Sequence, residues 1–403
     1  MRNRWFIALA AIGLHISIGS VYAWSVLTRP IMAAMGFTLS QTTWTFSLAI
    51  LMLGLSAGFL GSFAEKIGPK KSGLIAMLFW VTGLLGTAYA LSIHNLTLLY
   101  LFYGIIGGIG LGIGYITPVS TLVKYFPNRP GFATGLAIMG FGFASLIAGP
   151  LMQFLVAQVG LVNNFIILGV IYLVVMGASS LYLKAPQPKQ PPRTTQDKST
   201  MYVHNHGMLA NDAMKTWQFG ALWWVFFINI TCGIGLLSLA SPMAQEAIGM
   251  TPTAAASLVG IIGIFNGGGR IAWSTISDYL GRAQTYILFF IIEIVAFYLL
   301  AQTNSALTFQ ILILLIITCY GGGFSCMPAY LADLYGIRQL STIHGRILTA
   351  WGLAGIAGPM LVSYFHEAGY GYTTALECFA ALFVLNTIIA IVLKLYGKRE
   401  LHN

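Results

Sequence analysis

Twelve apolar stretches, each close to the thickness of a bilayer, decide what this 403-residue chain can fold into. They are drawn at about 5–27, 43–64, 73–93, 97–123, 131–155 and 162–183, and then at about 218–245, 254–276, 284–302, 306–331, 343–365 and 371–395. A membrane-crossing helix needs about 20 apolar residues, so the stretches leave room only for short connections. Only 7% of the residues are charged, against roughly a quarter in an ordinary soluble protein. Hydrophobic residues make up 57% of the chain. A soluble globular enzyme, a disordered chain and a fibrous repeat are excluded, because no water-facing fold hides so much apolar surface. The expected fold class is therefore all-α and integral to the membrane, with twelve spanning helices. The 46 glycines and 14 prolines fit that solvent. Glycine lets membrane helices approach closely, and neighbouring helices satisfy the backbone groups that proline frees.

The formal net charge is +10. In a soluble chain that suggests nucleic acid, but here the basic residues sit between spans, facing an anionic leaflet, so no nucleic-acid partner is expected. With the N-terminus placed inside, inside segments hold 18 of the 20 Lys and Arg. The outside loops hold only Arg29, and Arg270 lies within a span. The positive-inside bias thus predicts both termini on the cytoplasmic side of a bacterial-type plasma (inner) membrane. The first stretch, after Arg2 and Arg4, imitates a signal peptide but is too long for one and is read as the first span. Cys232, Cys319, Cys326 and Cys378 fall in apolar runs without a CxxC pair, so neither disulfides nor a metal site is expected.

The polar stretch 184–217 reads as a cytoplasmic linker, with Pro, Lys and Thr at its start and a short interfacial helix from Asn211 to Trp217 capped by Asn211. It divides the chain into six-helix bundles at 1–183 and 218–403. Landmarks repeat between the halves at a near-constant offset. Gly112, Tyr115 and Pro118 match Gly322, Ser325 and Pro328; Ile147-Ala-Gly-Pro150 matches Ile356-Ala-Gly-Pro359. The loop Gly61-xxx-Glu65-Lys66-Ile67-Gly68-Pro69-Lys70-Lys71 matches Ser274-xxx-Asp278-Tyr279-Leu280-Gly281-Arg282. A duplicated six-helix unit predicts an alternating-access carrier with its substrate at the interface of the bundles.

Arg270 is the sharpest candidate. It sits in Ile261-Ile-Gly-Ile-Phe-Asn-Gly-Gly-Gly-Arg-Ile-Ala-Trp273, where an intramembrane guanidinium costs at least about 2.5–3.5 kcal/mol and usually faces a polar cavity. Its planar fork suits a carboxylate. Asn266, one turn earlier, shares its face and offers a second hydrogen bond. The competing reading has Arg270 snorkelling to the interface or pairing with Asp278. Gly267-Gly-Gly269 either widens the cavity or permits close helix packing. In the first span His15, Gly19 and Tyr22 share a helical face; Tyr22 is a carboxylate-binding candidate, and His15 is either a proton carrier or a structural hydrogen-bonder. Tyr115 and Tyr320, at matching depths of the fourth and tenth spans, are cavity or packing residues. Glu293, mid-span in the peripheral ninth helix, is a second proton-coupling candidate. Gly61, Glu65, Lys66, Gly68 and Lys70, with Asp278 and Arg282 in the second half, form candidate gating loops in which a carboxylate faces basic residues across a glycine turn.

Other patterns carry no chemistry. Gly108-x-Gly110-x-Gly112-x-Gly114 lacks a surrounding βαβ unit and reads as a helix-packing stripe. His366-Glu367 lacks a second His at zinc spacing, and no Walker A sequence suggests ATP drive. No cofactor, metal or catalytic set is expected; the chain is not expected to be an enzyme, and a monomer is expected.

Together these strings resemble the major facilitator superfamily. Gly19-Ser-Val-Tyr-Ala-Trp-Ser25, Tyr115 with Pro118, Lys124-Tyr-Phe-Pro-Asn-Arg-Pro-Gly131, Phe265-Asn-Gly-Gly-Gly-Arg270 and Ser277-Asp-Tyr-Leu-Gly-Arg282 resemble, more narrowly, the oxalate:formate antiporter family, close to the monocarboxylate transporters. The resemblance runs from about 4 to 396. It implies two six-helix bundles, Arg270 as the carboxylate-binding residue, and Tyr22, Tyr115 and Tyr320 lining the site. The oxalate exchangers have a lysine where this chain has Trp351, so a divalent guest would meet one cation instead of two. Animal-type monocarboxylate carriers have an aspartate where this chain has Asn266. The expectation is a carrier of a small monocarboxylate such as lactate, pyruvate or formate, with a proton or a counter-anion as coupling partner. A dicarboxylate:monocarboxylate exchanger and a transporter-like sensor are the alternatives.

Overall fold

The computed structural model describes residues 3–126, 130–185, 207–336 and 339–396. These contain 12 helices long and apolar enough to cross a membrane. They are span 1 (Arg4–Ala23), span 2 (Leu39–Gly61), span 3 (Pro69–Ser92), span 4 (Leu96–Val119), span 5 (Gly135–Val159) and span 6 (Leu161–Tyr182), followed by span 7 (Trp217–Ser238), span 8 (Pro252–Leu280), span 9 (Arg282–Gln302), span 10 (Ala306–Tyr335), span 11 (Thr342–Tyr370) and span 12 (Thr373–Tyr396). An even number of crossings puts both ends of the described chain on one side of the bundle.

Both halves are punctuated by the same devices. Span 1 ends in a 3-10 turn, Ser20–Ala23, and the chain runs on as a second helix, Ser25–Met35, stopped by Gly36 at φ 68°. Span 7 breaks at Ser238 and continues as Ala240–Ile248, stopped by Gly249 at φ 74°. Left-handed glycine is the ordinary helix stop. Spans 2 and 8 then start on threonine caps, Thr38 and Thr251. At the opposite end, Gly68 (φ 84°) and Gly281 (φ 90°) turn the chain tightly into spans 3 and 9. Positive φ at these two loop positions is what glycine tolerates best.

Within the first half, span 1 packs on span 5, span 2 on span 4, and span 3 on span 6. The second half repeats the scheme with 7 on 11, 8 on 10, and 9 on 12. The halves meet along two seams, span 2 against span 11 and span 5 against span 8. Glycine makes the seams possible. A Cβ on Gly142 would lie 2.9 Å from the Gly267 Cα, and one on Gly58 would lie 3.1 Å from the Gly345 carbonyl oxygen. The Gly108–Gly114 run also behaves as a packing stripe: Gly110 lies against the Trp80 backbone, and Gly112 against Leu53 and Ala57.

The linker differs from expectation where it rejoins the membrane. One helical turn covers Ala210–Ala213, and Asn211 lies inside that turn, so it is not the cap. Its Oδ1 accepts from Arg346 Nη2 at 2.8 Å. The turn is also tied down by Met208 N donating to Tyr335 O at 2.9 Å and Ala210 N donating to Gln339 Oε1 at 2.7 Å. Side-chain recruitment by the second half overrides local capping. The cap of span 7 is Thr216.

Gly142→Val should force the 5–8 seam apart at a backbone contact. Overpacking of this kind costs about 1–3 kcal/mol, so the melting temperature of the purified protein is expected to fall by a few degrees, while the amount of protein inserted in the membrane, read by immunoblot, is unchanged.

Candidate functional site

Five spans deliver aromatic rings to one place between the two halves. Tyr22 comes from the 3-10 turn after the Arg4–Gly19 helix, Tyr115 from span 4, Tyr320 from span 10 and Trp351 from span 11. Span 5 adds Phe141, and span 10 adds a second ring, Phe324. The contacts are continuous. Phe141 is edge-on to Tyr22 (4.9 Å between centroids), Tyr115 (5.5 Å) and Trp351 (5.9 Å). Trp351 is edge-on to Tyr115 at 5.1 Å and to Phe324 at 4.8 Å, and Phe324 to Tyr320 at 5.3 Å. Tyr22 and Tyr320 join hydroxyl to hydroxyl at 2.8 Å, a bond between residues of opposite halves.

Arg270 enters this cluster from span 8. It is 1% exposed, and its Cζ lies 4.9 Å from the Phe324 ring centroid, a cation–π distance. Its Nε donates to Asn266 Oδ1 at 3.2 Å. The amide oxygen holds the guanidinium in place, and the amide nitrogen, the donor singled out from the sequence, has no hydrogen-bond partner. Neither Nη meets hydrogen-bond geometry with a described group, although the Tyr22 and Tyr115 hydroxyls interact with the guanidinium. No ion pair to Arg270 exists among the described residues. Asp278, the acid one could have paired with it, is held instead by Arg282 Nη2 at 2.6 Å.

The unpartnered polar atoms in the cluster have one character. Arg270 Nη1 and Nη2, Asn266 Nδ2 and Trp351 Nε1 are all buried and all donors. A buried donor left unmade costs about 1–3 kcal/mol, more for a charged group. Donors gathered around one cation complement the acceptor atoms of a negatively charged group.

The glycines before Arg270 serve packing. Gly269 packs on the Thr318 backbone and Gly267 on Phe143, the close-packing reading, whereas Gly268 lies on the outward face of span 8 with the exposed Ile264, Phe265 and Ile271 and adds no space beside the guanidinium. His15 is placed beside the cluster and does not point at its centre. Its Nδ1 lies 2.5 Å from Ala137 O and its Nε2 2.9 Å from Tyr115 O, tying span 1 to spans 5 and 4. The ring stacks on Tyr115 at 5.4 Å. His15, Gly19 and Tyr22 all lie against Phe141 of span 5, and the 3-10 turn, in which residues three apart eclipse, keeps Tyr22 above Gly19. Glu293 is fully buried elsewhere, between spans 9 and 7, accepting from Asn229 Nδ2 at 3.3 Å.

At the end that carries the chain termini, Arg282 also reaches Asp333 Oδ2 at 3.5 Å and donates to Ser277, so the Gly281 turn is fastened to span 10. In the matching loop a Cβ on Gly61 would lie 3.7 Å from the Ile116 side chain, Gly68 makes the turn, and Lys66 and Lys70 are exposed. The Glu65 side chain lies outside the described residues, as do the linker residues 186–206 and residues 127–129 of the Lys124–Gly131 string. Sequence reasoning missed Phe141 and Phe324. Phe324 stands one turn after Tyr320 and was within reach of a periodicity argument; Phe141 is marked only by its flanking glycines.

This arrangement of twelve spans in two repeated halves around a buried polar centre defines a membrane transporter, not an enzyme. The family model of the Major Facilitator Superfamily matches residues 6–283 and 222–402, and the chain belongs to that superfamily. It is 30% identical over 361 residues to the uncharacterised MFS-type transporter YhjX of Escherichia coli (strain K12), covering 88% of this chain and 86% of that one. It is 26% identical to the oxalate:formate antiporter of Oxalobacter formigenes, covering 93% and 87%. It is 21% identical to apicoplast pyruvate carrier 1 of Toxoplasma gondii, covering 86% and 81%. A bacterial homologue of the human lysosomal transporter Spinster, solved inward-facing and unoccupied, superposes with a TM-score of 0.75 at 14% identity, covering 97% of each chain.

Arg270→Met removes an uncompensated buried charge and keeps an apolar side chain of similar reach. In the ligand-free purified protein it is expected to raise the melting temperature by about 2 °C or more, a gain that differential scanning fluorimetry reads directly. A lowered melting temperature would mean that Arg270 has a protein partner.

Proposed function

We propose that this major facilitator transporter carries a small monocarboxylate by alternating access, with Arg270 as the single cation that receives it. The observation that carries the reading is the set of unpartnered donors: two Nη groups, one amide and one indole, buried around one positive charge with no acid paired to it among the described residues. One monoanion neutralises that charge. A dianion leaves one negative charge unmatched in a low-dielectric surrounding, which is strongly unfavourable. The aromatic walls suit the apolar body of a short carboxylate such as pyruvate, lactate or formate.

The geometry supports the following roles. Arg270 grips the carboxylate through its fork. Asn266 orients the guanidinium with its oxygen and offers Nδ2 to the guest. Tyr22 and Tyr320 close the pocket hydroxyl to hydroxyl from opposite halves, so a guest that exchanges bonds with them couples its presence to the relative position of the bundles. Tyr115, Trp351, Phe141 and Phe324 exclude water. A proton travelling with the anion makes the loaded carrier's net transfer electroneutral, and His15 and Glu293 are its candidate carriers. The bundles are 1–183 and 218–403, rocking about the seams 2–11 and 5–8, with 184–217 as tether and the Gly61–Lys70 and Asp278–Arg282 turns as gates. The basic loops face the cytoplasm of a bacterial-type inner membrane.

The second reading is an exchanger of a dicarboxylate for a monocarboxylate. It is favoured by the similarity to the oxalate:formate antiporter, and opposed by Trp351 standing where a second cation would be needed.

A counterflow panel in liposomes separates the two. Preloaded formate, lactate or pyruvate should accelerate uptake of labelled pyruvate severalfold over buffer, and oxalate should not. An inward proton gradient should drive net pyruvate uptake. Saturable oxalate exchange, with all three monocarboxylates inert, would replace this reading with the second.

A further inference from the structure

His366 and Glu367 take no part in the pocket. They stand in a π-helical turn, His366–Tyr370, that continues the Leu340–Phe365 helix at the end opposite the chain termini. Glu367 reaches across to the other half. Its Oε1 accepts from the Ser40 backbone N–H at 2.7 Å, and its Oε2 accepts from Ser40 Oγ at 2.6 Å. Ser40 lies in the first turn of the Leu39–Ile67 helix.

That helix start is already partly capped from within. Thr38 Oγ1 accepts from Gln41 N at 3.2 Å, and Gln41 Oε1 accepts from Thr38 N at 2.9 Å. The reciprocal box leaves the Ser40 N–H as a first-turn donor without an intrahelical acceptor. Glu367 supplies the acceptor, and its negative charge sits at the positive end of the helix dipole. One turn deeper, Ser363 Oγ donates to Thr43 Oγ1 at 3.0 Å along the same seam.

The Glu367 turn is itself held. His366 Nε2 lies 2.7 Å from Glu246 Oε2, and the imidazole lies over Tyr372 at 4.5 Å. Tyr372 also donates to Glu246, at 3.2 Å. Glu246 and its neighbour Gln245 meet the first half through Arg29: Arg29 Nη1 donates to Gln245 Oε1 at 3.1 Å, and Arg29 Nε lies 4.0 Å from Glu246 Oε1. Every one of these groups lies at one end of the molecule, and the bonds to Ser40, Thr43 and Arg29 cross between the halves.

We propose that Glu367 is a positioning residue of the transport cycle: it acts as a removable cap on the span 2 helix, supplied by the opposite half, and so holds this end of the carrier closed, with His366 and Glu246 fixing the turn that carries it. Opening this end separates spans 2 and 11, and the Ser40 donor and the Glu367 carboxylate then return to water. Because both are near the surface, water replaces the bond at small cost. The contact therefore biases the equilibrium by a few-fold and does not lock it, which a carrier that must reopen each cycle requires. The proposal rests on the carrier reading, but not on the identity of the substrate.

The test uses the full chain in liposomes with its four cysteines replaced and cysteines placed at Thr43 and Ser363, where disulfide formation reports the closed end. The parent should cross-link readily. Glu367→Gln, which keeps size but not charge, and Ser40→Ala should each slow cross-linking about threefold. Glu377→Gln, which removes a carboxylate at the same end that accepts from Gln302 Nε2 of its own half at 3.0 Å, should leave the rate unchanged. A second readout separates positioning from mere structure. If opening of this end becomes more populated, half-saturation for pyruvate added at this face should fall about threefold in Glu367→Gln, with the melting temperature unchanged. Absence of cross-linking in the parent, or parental rates in both Glu367→Gln and Ser40→Ala, would overturn the proposal. Loss of pyruvate transport by the parent with the cross-linking pattern intact would instead overturn the substrate assignment alone.

Discussion

A guanidinium without a counter-ion, buried in the middle of a membrane bundle, is the constraint from which the remaining architecture takes its meaning. A charge in that position is costly unless something matches it. The protein matches it only in part: an amide oxygen on Nε, an aromatic face below, and the neutral Tyr22 and Tyr115 hydroxyls beside it. No acid among the described residues neutralises its charge. Under the proposed function the stability given up here is returned by the guest, a pattern expected where binding energy has a use.

The second requirement is that the site belong to both halves. Tyr22 and Tyr320 meet across the interface, and Phe141 from one half touches Trp351 from the other. Between the halves run two glycine-lined seams, joined at the centre by the aromatic cluster. Smooth seams allow one bundle to tilt against the other while each keeps its internal packing. The contacts at the two ends then decide which way the tilt rests. At the end opposite the termini they cross between the halves. At the termini-bearing end the described ion pairs of Arg282 stay within the second half. The described contacts thus bind the two ends unequally, with the termini-opposite end tied across the interface.

Much of this was legible in the sequence because a membrane imposes simple rules. Span number followed from hydropathy, and the importance of Arg270 followed from the cost of its burial. The loop glycines Gly68 and Gly281 were readable as turns, and both have positive φ. The rest depended on geometry that spacing does not encode. The i, i+4 relation of Asn266 to Arg270 gave the contact but not which end of the amide is spent on it. The face shared by His15, Gly19 and Tyr22 was legible from their spacing, but not that it is Phe141 of span 5 that covers it. Asn211 looked like a cap because local rules favour it there, but Arg346, 135 residues away in the chain, takes its side chain. His366-Glu367 failed as a metal motif, yet Glu367 caps a helix more than 300 residues distant in sequence.

The central claim is that Arg270 is unpaired in order to bind one carboxylate. Equilibrium binding of labelled pyruvate to the purified protein, wild type beside Arg270→Met, tests it without the complications of flux. The account predicts saturable binding to the wild type and at least about a hundredfold weaker binding to the variant, as the loss of a charge-assisted bidentate contact implies. Equal affinity in the two proteins would contradict it.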